Sequence, residues 1–253
     1  MKTGLCSVTF RKLDVQAVLD LVARSGLDGI EWGGDVHCPP GLGQAALKEV
    51  ARATHARGLQ VLSYGSYYRV LQEPDPIWQE SFRATLDAAC ALEAPVIRIW
   101  VGGGDSALAK DEDFNRAADR MKWCGAQAAA QGIRVATEFH GGCLTDNIES
   151  TLRLMGLVAH PNVGTYWQQC ATGAAITTGE FSRLRSHLSH VHIFHWSNGT
   201  RIGLAEGAAR WKPFLDLLRS WKFTGALLLE FVKDDSPDQF LRDAKALSEW
   251  VRG

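Results

Sequence analysis

The run Ile133-Arg134-Val135-Ala136-Thr137-Glu138 is short, largely apolar and ends in an acid. Leu227-Leu228-Leu229-Glu230 closes on a second glutamate, and Val191-His192-Ile193-Phe194 carries a histidine. A carboxylate at the tip of an apolar strand is costly to bury alone, so each tip needs a partner. Three such tips facing one point suit a divalent cation, and the carboxylates can also move protons. These runs therefore predict a site where three distant parts of the chain meet.

Eight strand-like runs alternate with helical patterns from one end of the chain to the other. The predicted strands are Leu5–Phe10, Gly29–Trp32, Gln60–Tyr64, Val96–Val101, Ile133–Phe139, Val163–Trp167, His190–Phe194 and Ala226–Phe231. Several are almost wholly apolar, as expected for parallel strands covered on both faces. Between the first two, Val15, Val18 and Val22 recur at helical spacing, with Asp14 as the expected N-cap and Gly26 as the expected stop.

Eight successive strand–helix units predict an α/β chain that folds as a single (β/α)8 TIM barrel, with residues 1–253 as one domain. An open, doubly wound sheet is the alternative architecture. It needs a glycine-rich phosphate loop after its first strand. Here Phe10-Arg11-Lys12-Leu13-Asp14 follows that strand and contains no glycine, so the closed barrel is favoured.

Composition excludes several classes of function. The formal net charge of the 253 residues is −1, and no basic block marks a nucleic-acid surface. No apolar stretch has the length of a signal peptide or a membrane span, so we expect a cytoplasmic protein with a small-molecule substrate. The six cysteines form no C-x-x-C pair and are interpreted as reduced thiols. Cys143 and Cys170 lie just beyond candidate site strands and are the two considered for substrate contact.

In a (β/α)8 barrel the active site lies at the C-terminal ends of the strands. Polar and aromatic residues follow these ends in nearly every predicted strand. Four tryptophans, Trp32, Trp100, Trp167 and Trp196, fall at strand ends, and aromatic faces pack well against the C–H face of a sugar. The candidate substrate contacts at these ends are Trp32, Tyr64, Trp100, His140 and His195.

The strand tips resemble the xylose isomerase-like barrel superfamily, which includes sugar isomerases, ketose 3-epimerases, dehydratases and endonuclease IV. The resemblance covers essentially the whole chain. The segments that carry it are Gly29-Ile30-Glu31-Trp32, Ala136-Thr137-Glu138-Phe139-His140, His160-Pro161-Asn162-Val163-Gly164-Thr165-Tyr166-Trp167, His190-Val191-His192 and Leu228-Leu229-Glu230-Phe231.

The resemblance implies a metal site. In the epimerase branch, glutamate, aspartate, histidine and glutamate on strands five to eight hold manganese, magnesium or cobalt. Glu138, His192 and Glu230 match three of these ligands, and the two glutamates match the acid–base pair. Gln168 stands where the family usually has aspartate, so this chain brings an amide in place of a charge. We expect a Mn²⁺, Mg²⁺ or Co²⁺ site, with Zn²⁺ as a further candidate, held by Glu138, Gln168, His192 and Glu230.

The resemblance also implies substrate contacts after strand seven. Arg201 looks like the family's substrate-binding arginine, and Glu206 resembles the loop that follows it. Family members are often dimers or tetramers, so the resemblance allows a homo-oligomer, which no feature of the sequence itself indicates.

Four functions stay open on the sequence. The leading one is a metal-dependent isomerase or epimerase of a small sugar, in which two glutamates shuttle a proton through a cis-enediolate. A lyase or dehydratase acting on a keto-sugar can use the same site. A non-catalytic sugar-binding barrel is the third. An enzyme like endonuclease IV is disfavoured, because that chemistry in the family uses a three-zinc cluster with more ligands and a basic face.

Overall fold

The computed structural model describes residues 1–169 and 176–252, so Cys170 lies outside the described residues. The strands are β1 (Lys2–Cys6), β2 (Gly29–Gly33), β3 (Gln60–Arg69), β4 (Val96–Trp100), β5 (Arg134–Thr137), β6 (Val163–Trp167), β7 (Leu188–Ile193), β8 (Trp196–Ser197), β9 (Thr200–Arg201) and β10 (Ala226–Leu229). The helices are α1 (Val15–Ser25), α2 (Gln44–Ala56), α3 (Trp78–Ala91), α4 (Asp111–Ala129), α5 (Ile148–Val158), α6 (Thr178–Ser182), α7 (Ala208–Ser220) and α8 (Pro237–Arg252). None of these helices is long and apolar enough to cross a membrane.

Eight of the strands form one closed parallel barrel in the order β1-β10-β7-β6-β5-β4-β3-β2. The barrel closes where β1 pairs with β10, with Leu5 opposite Leu229. This confirms the predicted (β/α)8 barrel and excludes the open sheet, which has two free edges. Strands β8 and β9 are a short antiparallel pair in the connection that follows β7.

Most predicted strands lie within a few residues of their observed bounds, and β6 matches at both ends. The first differs, because it covers Lys2–Cys6 and is followed by a 3-10 turn at Ser7–Phe10. At the start of the turn, the Ser7 hydroxyl accepts a hydrogen bond from the backbone N–H of Gly33, at 2.8 Å. This side-chain bond replaces the backbone bonds of the β1–β2 ladder. The apolar residues Val8 and Phe10 therefore belong to a buried turn instead of a strand.

Helix α1 shows how the predicted periodicity is used. The Asp14 carboxylate accepts the backbone N–H of Ala17 at 2.8 Å, and Gly26 ends the helix in the left-handed conformation, with φ of 75°. Val18 and Val22 are fully buried against the barrel. The predicted cap, stop and buried face are all confirmed.

The side chains fill two separate apolar layers. Large residues such as Trp32, Trp167 and Trp211 pack in the outer layer of the core, where the helices cover the barrel. A second cluster, inside the barrel, consists of Leu62, Val96, Ala136, Tyr166, Ala226 and Leu228. Because side chains alternate along a strand, the residue two positions after Ala136 or Leu228 also points inward, one layer nearer the C-terminal rim. Those residues are Glu138 and Glu230, so the apolar plug forms the floor of a polar site.

Gly29 is required by the close approach of β2 to β3. A methyl group at this position would meet the backbone oxygen of Gln60 at a distance that real contacts do not reach, and Leu62 lies close by. That oxygen belongs to the barrel strand β3 and cannot move without disturbing the β2–β3 ladder. Gly41, in contrast, has open space around it.

We therefore expect Gly29→Ala to lower the free energy of unfolding by about 3 kcal/mol, because the barrel wall is overpacked. For a chain of this size, thermal unfolding should shift down by roughly 6–12 °C. Circular dichroism melts of Gly29→Ala and of the control Gly41→Ala measure the difference. Equal melting of both variants would contradict the observed β2–β3 register.

Candidate active site

Glu138 and Glu230 each stand one residue beyond the end of a barrel strand. The backbone N–H of Glu138 donates to the carbonyl of Ile99 at 2.9 Å, and that of Glu230 donates to Ile193 at 3.1 Å. Thr145 Oγ1 also donates to the carbonyl of Glu138, at 2.6 Å. The neighbouring strands β4 and β7 therefore hold both glutamates in place although the ladder has ended.

The four predicted metal ligands converge around the ring of His192. Its Nδ1 lies 3.1 Å from Gln168 Oε1, 3.2 Å from Glu230 Oε2 and 3.8 Å from Glu138 Oε1. All four side chains are buried, with between 0 and 7% of each residue exposed. The structure thus brings together residues from the ends of β5, β6, β7 and β10, as the strand tips indicated.

The donor set of this cluster fits a divalent cation. Ligand atoms of Glu138, His192 and Glu230 all lie within 4.8 Å of one another, and Gln168 adds an amide oxygen. Among the described residues, buried Glu230 Oε2 finds no hydrogen-bond partner, and neither does His192 Nε2. A buried carboxylate oxygen without a donor is costly, and a bound cation or substrate group would satisfy it. Carboxylate, amide and imidazole ligands together suit Mn²⁺, Mg²⁺, Co²⁺ or Zn²⁺.

A buried ion-pair network lies directly beside the cluster. Arg98 on β4 donates through Nε to Glu31 Oε1 at 2.9 Å and pairs through its NH1 group with Glu138 Oε2. Ser63 Oγ donates to Glu31 Oε2 at 2.7 Å, and Cys6 Sγ lies 3.2 Å from Glu31 Oε1. The candidate sites predicted from sequence did not include Arg98 or Glu31. A signal was present, because Arg98 interrupts the apolar run Val96–Trp100 and a charge there needs a buried partner.

Neighbouring charges shift the pKa values of two groups in this network, Glu31 and His192. Burial alone would raise the pKa of Glu31, but Arg98 and His192 outweigh it and hold that pKa well below its usual range. Burial alone would lower the pKa of His192, but Glu230 and Glu31 raise it to about 10. With the imidazole protonated, the carboxylates of Glu31, Glu138 and Glu230 still exceed the cations by one charge. A divalent cation beside a neutral His192 would balance them.

The aromatic rim of the site lies above β4 and β5. Trp100 stacks on His140 with ring centroids 4.4 Å apart, and the Arg69 guanidinium lies 4.4 Å from the Trp100 ring. Tyr67 approaches the same indole, at 5.7 Å. Trp100 and His140 are therefore brought together at this rim, and their contact with a substrate stays a prediction. Cys143 is buried next to the same loops, and its backbone forms an isolated antiparallel β-bridge with Gly103.

Two other predicted contacts face away from the site. The Trp32 indole donates to Thr54 Oγ1 on α2 at 3.2 Å, and the Tyr64 hydroxyl donates to the carbonyl of Cys38 at 2.9 Å. Both are fully buried in the outer core. For Trp32 the reason is the strand period of two, since the preceding residue Glu31 points inward. On β3 the register shifts by one residue before Ser63, so Ser63 faces Glu31 and Tyr64 points outward. The prediction that Trp32 and Tyr64 contact the substrate is therefore corrected, because both are packing residues of the outer core.

The predicted tryptophan wall is also smaller than expected. Trp167 packs outward against Phe181 on α6 and Phe214 on α7, with centroids 4.4 and 4.9 Å apart. Trp196 lies on the β8–β9 hairpin, near Phe231. Of the four tryptophans, Trp100 and Trp196 lie at the rim and the other two pack beneath helices.

A cavity of about 410 Å³ opens beside Glu230. It is lined by the segment 8–13 after β1 and by Arg201, Glu230, Phe231, Asp235 and Pro237. Arg201 pairs with Asp235 at 2.6 Å and lies over the Phe231 ring at 5.1 Å, so the predicted substrate-binding arginine stands in the wall of this cavity.

The last two predicted contacts have mainly local partners. Glu206 is exposed, and its carboxylate accepts the backbone N–H of Gly203 at 3.2 Å, which caps the 3-10 turn Leu204–Gly207. His195 is half-buried, and its ring packs against Gly207. Both stand outside the cavity lining just described.

Comparisons with known proteins agree with this architecture. A 3-dehydroshikimate dehydratase of Bacillus anthracis is 22% identical over 218 residues, which cover 81% of this chain and 76% of that protein. The crystal structure of the probable 3-DHS dehydratase AsbF of Bacillus anthracis superposes with a TM-score of 0.85 at 19% identity, over 98% of this chain and 99% of that one. A D-psicose 3-epimerase of Clostridium cellulolyticum gives a TM-score of 0.79 at 17% identity, over 100% and 98%.

The family assignment rests on a match that runs through nearly all of the barrel. Residues 19–252 match the model of the xylose isomerase-like TIM barrel family. The matched range includes both glutamates, Gln168 and His192, and it agrees with the resemblance inferred from the strand tips. The chain therefore belongs to the xylose isomerase-like TIM barrel family.

Proposed function

We propose that this protein is a metal-dependent lyase that removes water from a small, polyhydroxylated ketone carrying an acid group. The observation that carries the proposal is the unequal environment of the two candidate catalytic glutamates. Glu138 is paired through Oε2 with the guanidinium of Arg98. Glu230 Oε2, in contrast, is buried and pairs with no guanidinium among residues 1–169 and 176–252; it lies 3.2 Å from His192 Nδ1 without forming a hydrogen bond.

This difference assigns different tasks to the two carboxylates. A base must offer a free oxygen to the proton that it takes. Glu230 has such an oxygen and borders the cavity, whereas the ion pair with Arg98 engages Oε2 of Glu138 and fixes its orientation. The site therefore holds one free base, and Glu138 serves chiefly as a positioned anion.

A single base is sufficient for elimination. Glu230 takes the proton from the carbon next to the carbonyl, and the C–H electrons form the enolate. As the enolate collapses into a new C=C bond, the C–O bond to the β-hydroxyl breaks. The protonated Glu230 then returns its proton to the departing hydroxyl. The substrate loses one water, and Glu230 is a carboxylate again.

A divalent cation would support this chemistry by polarising the carbonyl and so acidifying the neighbouring C–H bond. Glu138, Gln168, His192 and Glu230 are the residues that would hold it. The aromatic pair of Trp100 and His140 would limit access of water above the reacting carbon.

The cavity favours a substrate with an acid group. Three cations line it, and two of them have acidic partners: Arg11 pairs with Asp35, and Arg201 pairs with Asp235. Lys12, on the same wall, is exposed. The lining also holds the acids Glu230 and Asp235, so Lys12 is the lining cation that remains to attract an acid group of the substrate. The similarity to a 3-dehydroshikimate dehydratase agrees with this class, since 3-dehydroshikimate is a hydroxyketone with a carboxylate.

An epimerase is the second candidate function. It is the leading function on the sequence alone, and the presence of both glutamates, together with the fold shared with a 3-epimerase, supports it. Epimerisation by two bases requires a proton donor on the opposite face of the substrate. Glu138 could take that part only after release from Arg98, which is why the lyase is favoured.

The two reactions differ in their products. We expect the Mn²⁺-loaded protein in deuterated water to convert an acid-bearing hydroxyketone such as 3-dehydroshikimate into a product with one water fewer and a new C=C bond, visible by proton NMR. Neutral keto-sugars should react more slowly. Deuterium incorporation without loss of water would favour the epimerase, and ligand binding without either change would favour a non-catalytic barrel.

Glu230→Gln should lower the rate of water elimination by about 10³-fold at saturating metal, because the free base is lost. Elimination is measured by NMR in deuterated water, with metal content determined in parallel. Glu249→Gln, on the exposed face of α8, is the matched control and should react like the wild type. In a two-base epimerase, Glu230→Gln would still exchange the proton of one epimer through Glu138, and that result would contradict the one-base assignment.

Gln168→Asp should bind Mn²⁺ roughly tenfold more tightly. A carboxylate about 4 Å from the ion adds roughly 4 kcal/mol of gross attraction at an effective dielectric near 20, and solvent offsets much of it. Competition titration with a chelator measures the affinity. Gln131→Asp changes the net charge equally at an exposed position and should leave binding unchanged. Unchanged binding in Gln168→Asp would show that residue 168 is not a ligand.

A further inference from the structure

Glu31 is a buried acid for which the proposed reaction has no use. It lies on β2, fully buried near the barrel axis, and its two oxygens face different partners. Oε2 accepts from Ser63 at 2.7 Å, and Oε1 accepts from Arg98 Nε at 2.9 Å and from Cys6 Sγ at 3.2 Å. A fully buried carboxylate with three donors is costly to maintain, so it is expected to serve the site next to it.

The feature that connects Glu31 to the site is the second nitrogen of His192. Nδ1 of this ring faces Gln168 and Glu230, whereas Nε2 faces the opposite way and lies 3.4 Å from Glu31 Oε1. In the part of the chain that the structure describes, Nε2 has no hydrogen-bond partner. A histidine that binds a metal almost always donates its other ring N–H to a carboxylate, a carbonyl or water.

We propose that Glu31 is a positioning residue, which accepts the Nε2–H of His192 and thereby presents Nδ1 to the cluster of Glu138, Gln168 and Glu230 as the metal-binding nitrogen. The inference rests on the proposed function only for the existence of the metal site. It does not depend on which reaction follows.

Arg98 stabilises this arrangement in the barrel interior. Its guanidinium neutralises Glu31 through Nε and also holds Glu138, so one cation orients both the carboxylate behind His192 and a carboxylate in front of it. The same contacts explain why Glu31 does not itself act as a ligand. Both oxygens of Glu31 are already engaged, whereas Arg98 pairs with Glu138 through Oε2 and leaves Oε1 facing His192.

The group of Cys6, Glu31 and His192 could in principle hold a metal of its own, since their ligand atoms lie within 4.8 Å of one another. Two observations disfavour it. The Cys6 thiol is already engaged as a donor to Glu31 Oε1, at 3.2 Å. Arg98 lies against the same Glu31 oxygen. One metal per chain is therefore expected.

Metal binding without substrate tests the proposal. Chelator competition with Co²⁺ is performed on the wild type, Glu31→Ala, Glu31→Gln and Glu249→Ala. Glu31→Ala removes the acceptor and should weaken Co²⁺ binding by about 10–100-fold. Glu31→Gln keeps an oxygen that can accept the Nε2–H and should recover part of this loss, and it serves if Glu31→Ala does not fold. Glu249→Ala removes an exposed carboxylate on α8 and should bind like the wild type.

A second measurement identifies which nitrogen of the His192 ring binds the metal. In Zn²⁺-loaded protein with ¹⁵N-labelled histidine, NMR should show the His192 signal with the proton on Nε2 and the metal on Nδ1. The signal is assigned by its absence in His192→Asn. Metal on Nε2, unchanged Co²⁺ affinity in both Glu31 variants, or two metals per chain would each overturn the proposal. Failure of turnover with these binding results intact would count against the proposed lyase and not against Glu31.

Discussion

The pairing of Arg98 with Glu31 and Glu138 is the interaction on which the rest of the site depends. Three charged groups from β2, β4 and the end of β5 lie inside the barrel with almost no exposure. None of them could be buried alone, since an unpaired charge in such an interior either neutralises or destabilises the fold. Removing one partner would leave the others uncompensated. The network therefore ties the stability of the upper barrel to the same residues that shape its chemistry.

The apolar floor beneath this network is the complementary constraint. Ala136, Tyr166 and Leu228 fill the lower interior of the barrel, and the residues two positions further along these strands, Glu138, Gln168 and Glu230, are polar. The change from apolar to polar within one strand period confines charge to the upper layer of the barrel, where Glu230 borders the cavity that a ligand can enter. Each barrel strand thus contributes core below and chemistry above, which is why one closed sheet can be both stable and functional.

The sequence carried enough information for the fold and for the convergence of the strand tips. Strand periodicity, caps such as Asp14 and apolar parallel strands are local signals, and barrel closure follows from their number. The outward direction of Trp32 is also predictable from the sequence, because the adjacent Glu31 must face the opposite side of the strand. The contact between Arg98 and Glu31 is not, since it joins strands 67 residues apart in sequence and depends on the stagger of a closed sheet.

Gln168 becomes intelligible once this network is considered as a whole. In a site of two glutamates and a neutral histidine, a divalent cation is balanced without a third carboxylate, and Arg98 already has Glu31 as a partner. An aspartate at this position would leave an extra negative charge in a closed, poorly solvated space, or it would compete with Glu138 for the guanidinium. The amide keeps an oxygen directed at His192, at 3.1 Å, without adding that charge. The substitution is thus consistent with a site that assigns the free negative charge to Glu230 alone, which is the property that one-base elimination needs.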